Sequence, residues 1–164
     1  MSLKYLNVVV AAKLVTTHTR KKVAMRQATR LIIEDGEDII FIKRTKKVSG
    51  SNKVFYVLPG GMLDEGETPE QAGIREAKEE LSVDIELDGF LMKEYNEEVD
   101  KEEFYYFAKI VSGKVKPGDG EEFKNMDINS PYGLFEIVRI SKKEIGAYDI
   151  LPITIKDKLV ATYV

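Results

Sequence analysis

Residues 58–83 read LPGGMLDEGETPEQAGIREAKEELSV and combine a Gly-Gly turn, an acidic loop and a segment rich in Ala, Glu and Lys. Thr68 is a suitable N-cap, and Pro69 suits the first position of a helix. Gln71 stands three residues after Thr68 and completes a capping box. These signals predict a helix over Pro69–Leu81.

This helix carries a narrow apolar stripe. With a turn of ~100° per residue, Ile74, Ala77 and Leu81 fall together on one side. Gly73 is its one poor helix former. The stripe predicts the side that faces the protein core.

An acidic face lies beside the stripe. Glu76, Glu79 and Glu80 stand at i, i+3 and i+4, a spacing that lets their carboxylates converge on one point, and Arg75 stands four residues before Glu79. A row of glutamates on a helix is most often a solvated face. Like charges at i and i+4 cost a few tenths of a kcal/mol unless a cation intervenes, and Lys78 points to a different side. We therefore expect these carboxylates to bind a hard divalent cation, for which oxygen ligands and Mg²⁺ are the natural match.

The stretch resembles the Nudix box, the signature of the Nudix hydrolases. That signature is a Gly, five residues, a Glu, seven residues, Arg-Glu, an aliphatic residue, any residue, Glu-Glu, any residue, a Gly and an aliphatic residue. The matching positions here are Gly61, Glu67, Arg75, Glu76, Ala77, Glu79, Glu80 and Val83. Ser82 stands where the family has its last Gly. Because that Gly would end the helix in a left-handed conformation, Ser at this position costs about 1 kcal/mol.

The resemblance implies a fold as well as an activity. We expect one α/β (α+β) domain over residues 1–164, a Nudix-like α/β/α sandwich whose mixed sheet is largely antiparallel. Residues 1–22 would be an N-terminal extension, with a candidate strand over Asn7–Val15. His18, the one histidine, receives no role.

The rest of the chain gives further strand and helix predictions. A strand over Arg26–Glu34 precedes a turn at Asp35-Gly36, and the aromatic positions 104–107 predict a strand buried on both faces. The other expected elements are a strand at 38–44, a basic loop at 45–53, strands at 54–58, 83–95 (one or two), 103–111 and 134–140, a short helical turn capped by Ser141, and a helix from Pro152 to about Tyr163.

The family resemblance implies a reaction and a metal site. The reaction is Mg²⁺-dependent hydrolysis of a nucleoside diphosphate linked to another group X, and Mn²⁺ is expected to substitute for Mg²⁺. The implied metal ligands are Glu76, Glu79 and Glu80, with Glu80 as the expected direct ligand, together with the carbonyl of Gly61.

The resemblance also implies positioning and substrate-binding residues. Arg75 should orient Glu76 or pair with Glu67, and it is counted with the three box glutamates as catalytic. The backbone at Gly60 and Gly61 can approach a ligand closely. Arg44 ends a strand that borders the nucleotide cleft in this family, so it is a candidate for contact with substrate phosphates, the other interpretation being a solvated loop.

The general base stays open. In the family it comes either from the box or from a glutamate on a later loop. The loop candidates are Glu97, Glu98, Glu121 and Glu122, each of which could equally be a solvated side chain.

The substrate is left open too. Some subfamilies carry a Pro about 16 residues past the box and others a Tyr slightly further on. Position 99 is Val, while Tyr95 and Tyr105 miss the Tyr window on either side. We favour a MutT-like hydrolase of nucleoside triphosphates or related nucleotides, and the alternative is a catalytically silent nucleotide-binding regulatory protein.

Composition limits the remaining classes. The 164 residues are 43% hydrophobic and 32% charged, which suits one compact domain. A net charge of −3 argues against a partner such as a nucleic-acid polymer. We expect a small-molecule nucleotide partner, a possible homodimer, no membrane segment and, with no cysteine, a cytoplasmic location.

Overall fold

The computed structural model describes residues 25–97, 99–124 and 126–164, and the side chains of Glu121 and Glu122 are outside that description. The expected extension at 1–22, with its candidate strand and His18, lies outside the described residues. So does Glu98.

Three strands precede the first helix of the described chain, and three more strands follow it before the C-terminal helix. The strands are β1 Arg26–Asp35, β2 Asp38–Val48, β3 Ser51–Val57, β4 Val83–Asn96, β5 Lys101–Gly113 and β6 Leu134–Ser141. The helices are α1 Pro69–Leu81, the short α2 Glu121–Lys124 and α3 Ile153–Tyr163, with a 3-10 helix at Lys142–Ala147. No helix within these described ranges has both the length and the apolar composition needed to cross a bilayer.

The strands form one mixed sheet in two halves. In one half, β5 pairs in parallel with β1 and antiparallel with β4; in the other, β2 pairs antiparallel with β3 and β6. β1 and β2 pair beside their turn, at Glu34 with Ile39 and Asp35 with Asp38. The sheet is therefore continuous at this hairpin and splays apart beyond it.

The segment after β3 lies against the splayed part of β1. The backbone amides of Thr29 and Leu31 donate to the carbonyls of Gly61 and Pro59, each at 2.9 Å. This pairing holds the Gly-Gly turn at the centre of the sheet, between its two halves.

Two apolar clusters lie on opposite faces of the sheet. On one face, Leu31 and Ile33 pack with Ala77 and Leu81 of α1. On the other face, Ile32 packs with α3, whose buried side chains are Ile155 and Leu159. Burying a side chain of this size contributes roughly 1.5–3 kcal/mol. The resulting layers are helix, sheet and helix, as the family resemblance implies.

Helix α1 has the predicted limits and capping, but its buried side differs from the prediction. Thr68 and Gln71 form both hydrogen bonds of the capping box. Ala77 and Leu81 are buried as expected, whereas Ile74 is 48% exposed, so its assignment to the core stripe was wrong. Gly73 is buried instead, and a Cβ added there would lie only 3.1 Å from Leu31 Cδ2. The absence of a side chain lets α1 approach β1.

The prediction of a basic loop at 45–53 is also wrong. β2 continues to Val48 and β3 begins at Ser51, joined by a two-residue turn. Ser49 and Gly50 have φ values of 49° and 83°, both positive as a type I′ hairpin turn requires. Ser is an uncommon residue at the first of these positions, so the turn signal was weak.

The remaining differences are small. For residues 83–95, where one or two strands were predicted, the structure has the single strand β4, with irregular register against β5. Phe104 and Tyr106 lie in one cluster and Tyr105 and Phe107 in the other, which confirms that β5 is covered on both faces. Ser141 precedes the 3-10 helix without forming a side-chain cap hydrogen bond.

Candidate active site

Two glycines shape the floor of the site. Gly60 has a φ of 130°, and a side chain there would lie 2.3 Å from the carbonyl oxygen of Thr29. A side chain on Gly61 would lie 2.1 Å from Glu76 Oε1. The first glycine therefore lets the turn lie against β1, and the second lets a carboxylate of α1 lie against the turn.

Glu80 lies on the inner side of α1, beneath this turn. It is only 6% exposed, and its Oε2 accepts a hydrogen bond from the amide of Gly60 at 2.7 Å. A buried carboxylate requires such donors, since desolvation without them is costly. The turn and the helix thus hold Glu80 between them.

Arg75 organises the other acids of the box. Its Nε and Nη2 donate to the two oxygens of Glu67 at 3.0 and 2.9 Å, and its Nη1 donates to Glu76 at 2.9 Å and to Glu79 at 3.1 Å. Nη2 also donates to the carbonyl of Met62. The hydrogen bonds with Arg75 lower the pKa of Glu67, and those with Glu67 raise the pKa of Arg75. Both contacts considered for Arg75, with Glu76 and with Glu67, are present.

The three box glutamates do not converge on a common point. Glu76 and Glu79 both meet Nη1 of Arg75, while Glu80 meets the amide of Gly60. Among the described residues, no group of three acidic or histidine side chains is arranged to hold a metal ion.

The donor set nevertheless fits a hard divalent cation. Carboxylate oxygens are the ligands that Mg²⁺ prefers, and the missing side chain at Gly61 gives Glu76 its place beside the turn. The carbonyl of Gly61 accepts the amide of Thr29 at 2.9 Å, and a carbonyl oxygen has a second lone pair. The chemistry of these residues therefore agrees with the expected metal.

A cleft of about 1220 Å³ opens above this floor, between the two halves of the sheet. One wall comes from β1 and β5 and the other from β2, β3 and β6. The side chains used below are Arg30, Lys101, Glu103 and Tyr105 on the first wall and Arg44, Phe55 and Phe135 on the second.

Arg44, a predicted substrate contact, lies on the second wall. Its guanidinium carbon is 4.0 Å from the ring centre of Phe135 and 5.9 Å from that of Phe55. Its Nη2 donates to the carbonyl of Tyr132 at 2.7 Å. Stacking on a ring holds a guanidinium flat while leaving its edge able to meet an anion.

A buried acid on the first wall was not predicted. Glu103 is 4% exposed; its Oε1 meets Arg30 at 3.0 Å and Lys101 at 2.8 Å, and its Oε2 accepts the hydroxyl of Tyr105 at 3.1 Å. Burial raises the pKa of Glu103, but the charges of Arg30 and Lys101 outweigh burial, so the pKa is lowered. Burial also raises the pKa of Tyr105. The available sequence signal was Arg30 in the middle of an apolar strand, but the parallel pairing that brings β1 to β5 leaves no local trace.

The loop candidates for the general base are divided by the structure. Glu97 lines the cleft. The loop before Glu121 packs on the C-terminal end of α1, where the amides of Gly118 and Gly120 donate to the carbonyls of Glu80 and Glu79. Glu94 also lines the cleft and accepts a hydrogen bond from Thr154.

Known proteins are similar to this chain in sequence or in fold. A protein of Bacillus subtilis (strain 168), named as a candidate 8-oxo-dGTP diphosphatase, is 27% identical over 133 residues, 77% of this chain and 84% of its own. The NUDIX hydrolase from Nitrosomonas europaea has a similar fold, with a TM-score of 0.60, 20% identity and coverage of 82% of this chain and 67% of its own.

The MutT protein from Methanosarcina mazei Go1 has a TM-score of 0.57 and 17% identity, with coverage of 83% and 91% respectively. The model of the NUDIX domain matches residues 24–145, which contain the box, both walls of the cleft and the buried Glu103. The chain therefore belongs to the NUDIX family and is a Nudix hydrolase.

Proposed function

We propose that this hydrolase cleaves a phosphoanhydride bond in a nucleoside diphosphate linked to another group X, with a nucleoside triphosphate as the expected substrate and Mg²⁺ as the cofactor. The observation that carries the proposal is the meeting of the box acids and the Gly60-Gly61 turn at the floor of a cleft with cationic side chains on both walls. A polyphosphate needs this combination, because its charge must be neutralised while the reacting atoms are aligned.

Each part of the site has a role in the proposed reaction. Glu76, Glu79 and Glu80 would hold the metal, which supplies Lewis acidity and lowers the pKa of a bound water. Glu80 keeps its position through the amide of Gly60. Arg75 would fix the loop through Glu67 and would orient Glu76 and Glu79 through its contacts with their carboxylates.

The cationic walls would hold the substrate. Arg44 packs on the ring of Phe135, where it can meet phosphate oxygens, and Lys101 supplies positive charge on the opposite wall. With a triphosphate, the products would be a nucleoside monophosphate and pyrophosphate. With other substrates they would be a nucleoside monophosphate and phosphorylated X.

For the general base, Glu97 is supported by its position at the cleft, whereas both oxygens of Glu103 already accept hydrogen bonds from the protein. A Glu97→Gln variant that loses the acidic limb of the pH–rate profile would support Glu97 as the base. An unchanged profile would move the role to the box or to another loop.

The substrate proposal is tested by a panel of dNTPs, oxidised dNTPs, ADP-ribose, nucleotide sugars and dinucleoside polyphosphates, with phosphate and pyrophosphate release measured in Mg²⁺ and in Mn²⁺. The name of the Bacillus subtilis relative makes 8-oxo-dGTP the first member to assay. The control variants are Glu80→Gln in the site and Glu86→Gln, an exposed acid on β4.

Release by the wild type and Glu86→Gln, and its loss in Glu80→Gln, would support the proposal. Binding of nucleotides without turnover would favour the alternative, a silent nucleotide-binding regulatory protein. Absence of both would overturn the proposed substrate class. A cytoplasmic location, a homodimer and the lack of a nucleic-acid partner stay predictions.

A further inference from the structure

A chain of hydrogen bonds connects the buried acid of β5 to the box helix. It starts at Glu103, whose Oε1 receives both Nε and Nη2 of Arg30 at 3.0 Å. Nη1 of the same guanidinium donates to the carbonyl of Gly60 at 2.5 Å. The amide of Gly60 in turn donates to Glu80 Oε2 at 2.7 Å.

Arginine is suited to the centre of this chain. Its planar guanidinium has donors on separate edges, so one edge can be fixed by a carboxylate while another donor meets a carbonyl. Glu103 cannot turn away, because Lys101 and Tyr105 hold its two oxygens as well. The direction of the Arg30 fork is therefore set by β5 and not by the turn that it contacts.

Gly60 transmits this constraint. Its carbonyl and its amide belong to the two peptide planes that meet at its Cα, and its φ of 130° is one that residues with side chains rarely adopt. Arg30 holds one plane and Glu80 accepts from the other. A rotation of the turn that breaks the first bond would also misdirect the second.

We infer that Arg30, anchored by Glu103, is a positioning residue that holds the Gly60 peptides so that Glu80 keeps its orientation in the site. This inference rests on the proposed function for the role of Glu80 as a metal ligand. Replacing a residue that orients a metal ligand in this way typically lowers metal affinity or activity about 10- to 100-fold.

The first test is Arg30→Lys, which keeps the charge but lacks the fork that contacts Glu103 and Gly60 together. In the protein without substrate, we expect the Gly60 amide proton to move upfield in the ¹H–¹⁵N spectrum as its hydrogen bond to Glu80 weakens. Glu80→Gln provides the reference for that bond without a charged acceptor. We also expect the Mn²⁺ concentration at half-saturation to rise about 10- to 100-fold. It is measured by the loss of the electron paramagnetic resonance signal of free Mn²⁺.

The matched control is Arg139→Lys. Arg139 lies on β6 and pairs with Asp35 at 2.7 Å, so this variant also loses an arginine–carboxylate contact, but at a position that does not line the cleft. It should leave both the Gly60 resonance and Mn²⁺ binding unchanged.

A second variant guards against loss of folding. Arg30→Lys leaves Glu103 with fewer donors, so Glu103→Gln and the double variant are measured beside it. Glu103→Gln retains Arg30 and removes the charge that anchors it, and it should change the Gly60 resonance and Mn²⁺ affinity in the same direction by a smaller factor. The double variant should resemble Arg30→Lys, because the two residues act through one path.

Three outcomes would overturn the inference. One is an unchanged Gly60 resonance in folded Arg30→Lys, and another is unchanged Mn²⁺ affinity in that variant. The third is a higher KM for nucleotide with normal Mn²⁺ binding, which would make Arg30 a direct substrate contact. Failure of the wild type to hydrolyse any nucleotide would instead count against the proposed function, since the resonance and Mn²⁺ measurements require no turnover.

Discussion

Ser82 ends helix α1 in a left-handed conformation, with φ 59° and ψ 29°. The family signature has glycine at this position, and the backbone shows the reason, because a residue with a Cβ is strained there. The departure from the signature changes the cost of the helix stop and leaves its geometry intact. It lies one residue beyond Leu81, away from the floor of the cleft.

We predict that Ser82→Gly stabilises the protein by about 1 kcal/mol, since relief of the left-handed strain exceeds the added freedom of glycine in the unfolded chain. Urea denaturation monitored by circular dichroism measures the change. Ser82→Ala is the control, because it removes the hydroxyl and retains the strain. Equal stability of all three proteins would show that the cap conformation carries no strain.

A second prediction at this scale concerns Gly61. In Gly61→Ala, the new methyl group would lie 2.1 Å from Glu76 Oε1, so this carboxylate must move away from the turn. Hydrolysis and Mn²⁺ affinity should both fall about 10- to 100-fold, as expected for a displaced metal ligand. Both are measured against the wild type.

Gly36→Ala is the control for a glycine substitution. Gly36 has a positive φ and no neighbouring atom within 4 Å of an added Cβ, so this variant should lose stability without losing Mn²⁺ affinity. If Gly61→Ala binds Mn²⁺ as the wild type does, Glu76 has no part in the metal site.

At the scale of elements, the sequence predicted the features that depend on neighbouring residues better than those that depend on residues distant along the chain. Both ends of helix α1 were predicted correctly, and the capping box that marks its start spans only the four residues from Thr68 to Gln71. The buried side of this helix was predicted less well, because it depends on the close packing of Gly73 against Leu31. Leu31 lies on a strand more than forty positions earlier in the sequence. The box acids were found from local spacing, and the expected contacts of Arg75 with Glu67 and Glu76 are both present.

The missed part of the site has the same explanation. Arg30 and Glu103 meet because β1 and β5 pair in parallel, and parallel strands are joined by long connections with no turn signal between them. The strand patterns predicted each element separately. Nothing in those patterns indicated which strands are neighbours, so the buried acid of the cleft could not be foreseen.

The contact between α3 and β1 predicts how the stability of the fold depends on pH. Glu34 accepts hydrogen bonds from the Tyr163 hydroxyl and from Lys142, and Lys109 adds a favourable charge. The Tyr163 hydrogen bond is the main cause that lowers the pKa of Glu34 below its ordinary value of 4.5. A carboxylate with a lowered pKa stabilises the fold above its unfolded pKa, and this stabilisation is lost as the pH falls through the folded pKa.

We therefore expect Glu34→Gln to be less stable than the wild type at pH 7, by about 1 kcal/mol after allowance for solvent screening of a partly exposed side chain. The difference should shrink as the pH falls through the lowered pKa of Glu34, where the wild-type carboxyl becomes protonated. Urea unfolding from pH 3 to pH 7 measures it. A difference that is constant over this range would assign the effect to packing and not to the charge.

At the scale of the whole molecule, the cleft exists because the sheet is continuous at one end and open at the other. The β1–β2 hairpin joins the halves, and beyond it the box turn takes the place of β2 beside β1. One wall then carries Arg30 and Lys101 and the other Arg44, with the box acids between them. A polyphosphate bound at the floor would contact both halves.

This architecture predicts linked stabilisation by metal and nucleotide. A nonhydrolysable triphosphate analogue with Mg²⁺, at about 100 times its Kd, should stabilise the protein by about 2.7 kcal/mol and raise Tm by about 5–10 °C. Differential scanning calorimetry measures the shift.

The variants separate the two contributions to this rise in Tm. Glu80→Gln should lose the rise that depends on Mg²⁺, and Arg44→Met should lose much of the rise that depends on the analogue, each compared with its own ligand-free Tm. Arg139→Met, outside the cleft, should respond as the wild type does. An equal shift without Mg²⁺, or a full shift in Glu80→Gln, would mean that the nucleotide binds away from the box, and the cleft between the two halves would lose its assignment as the substrate site.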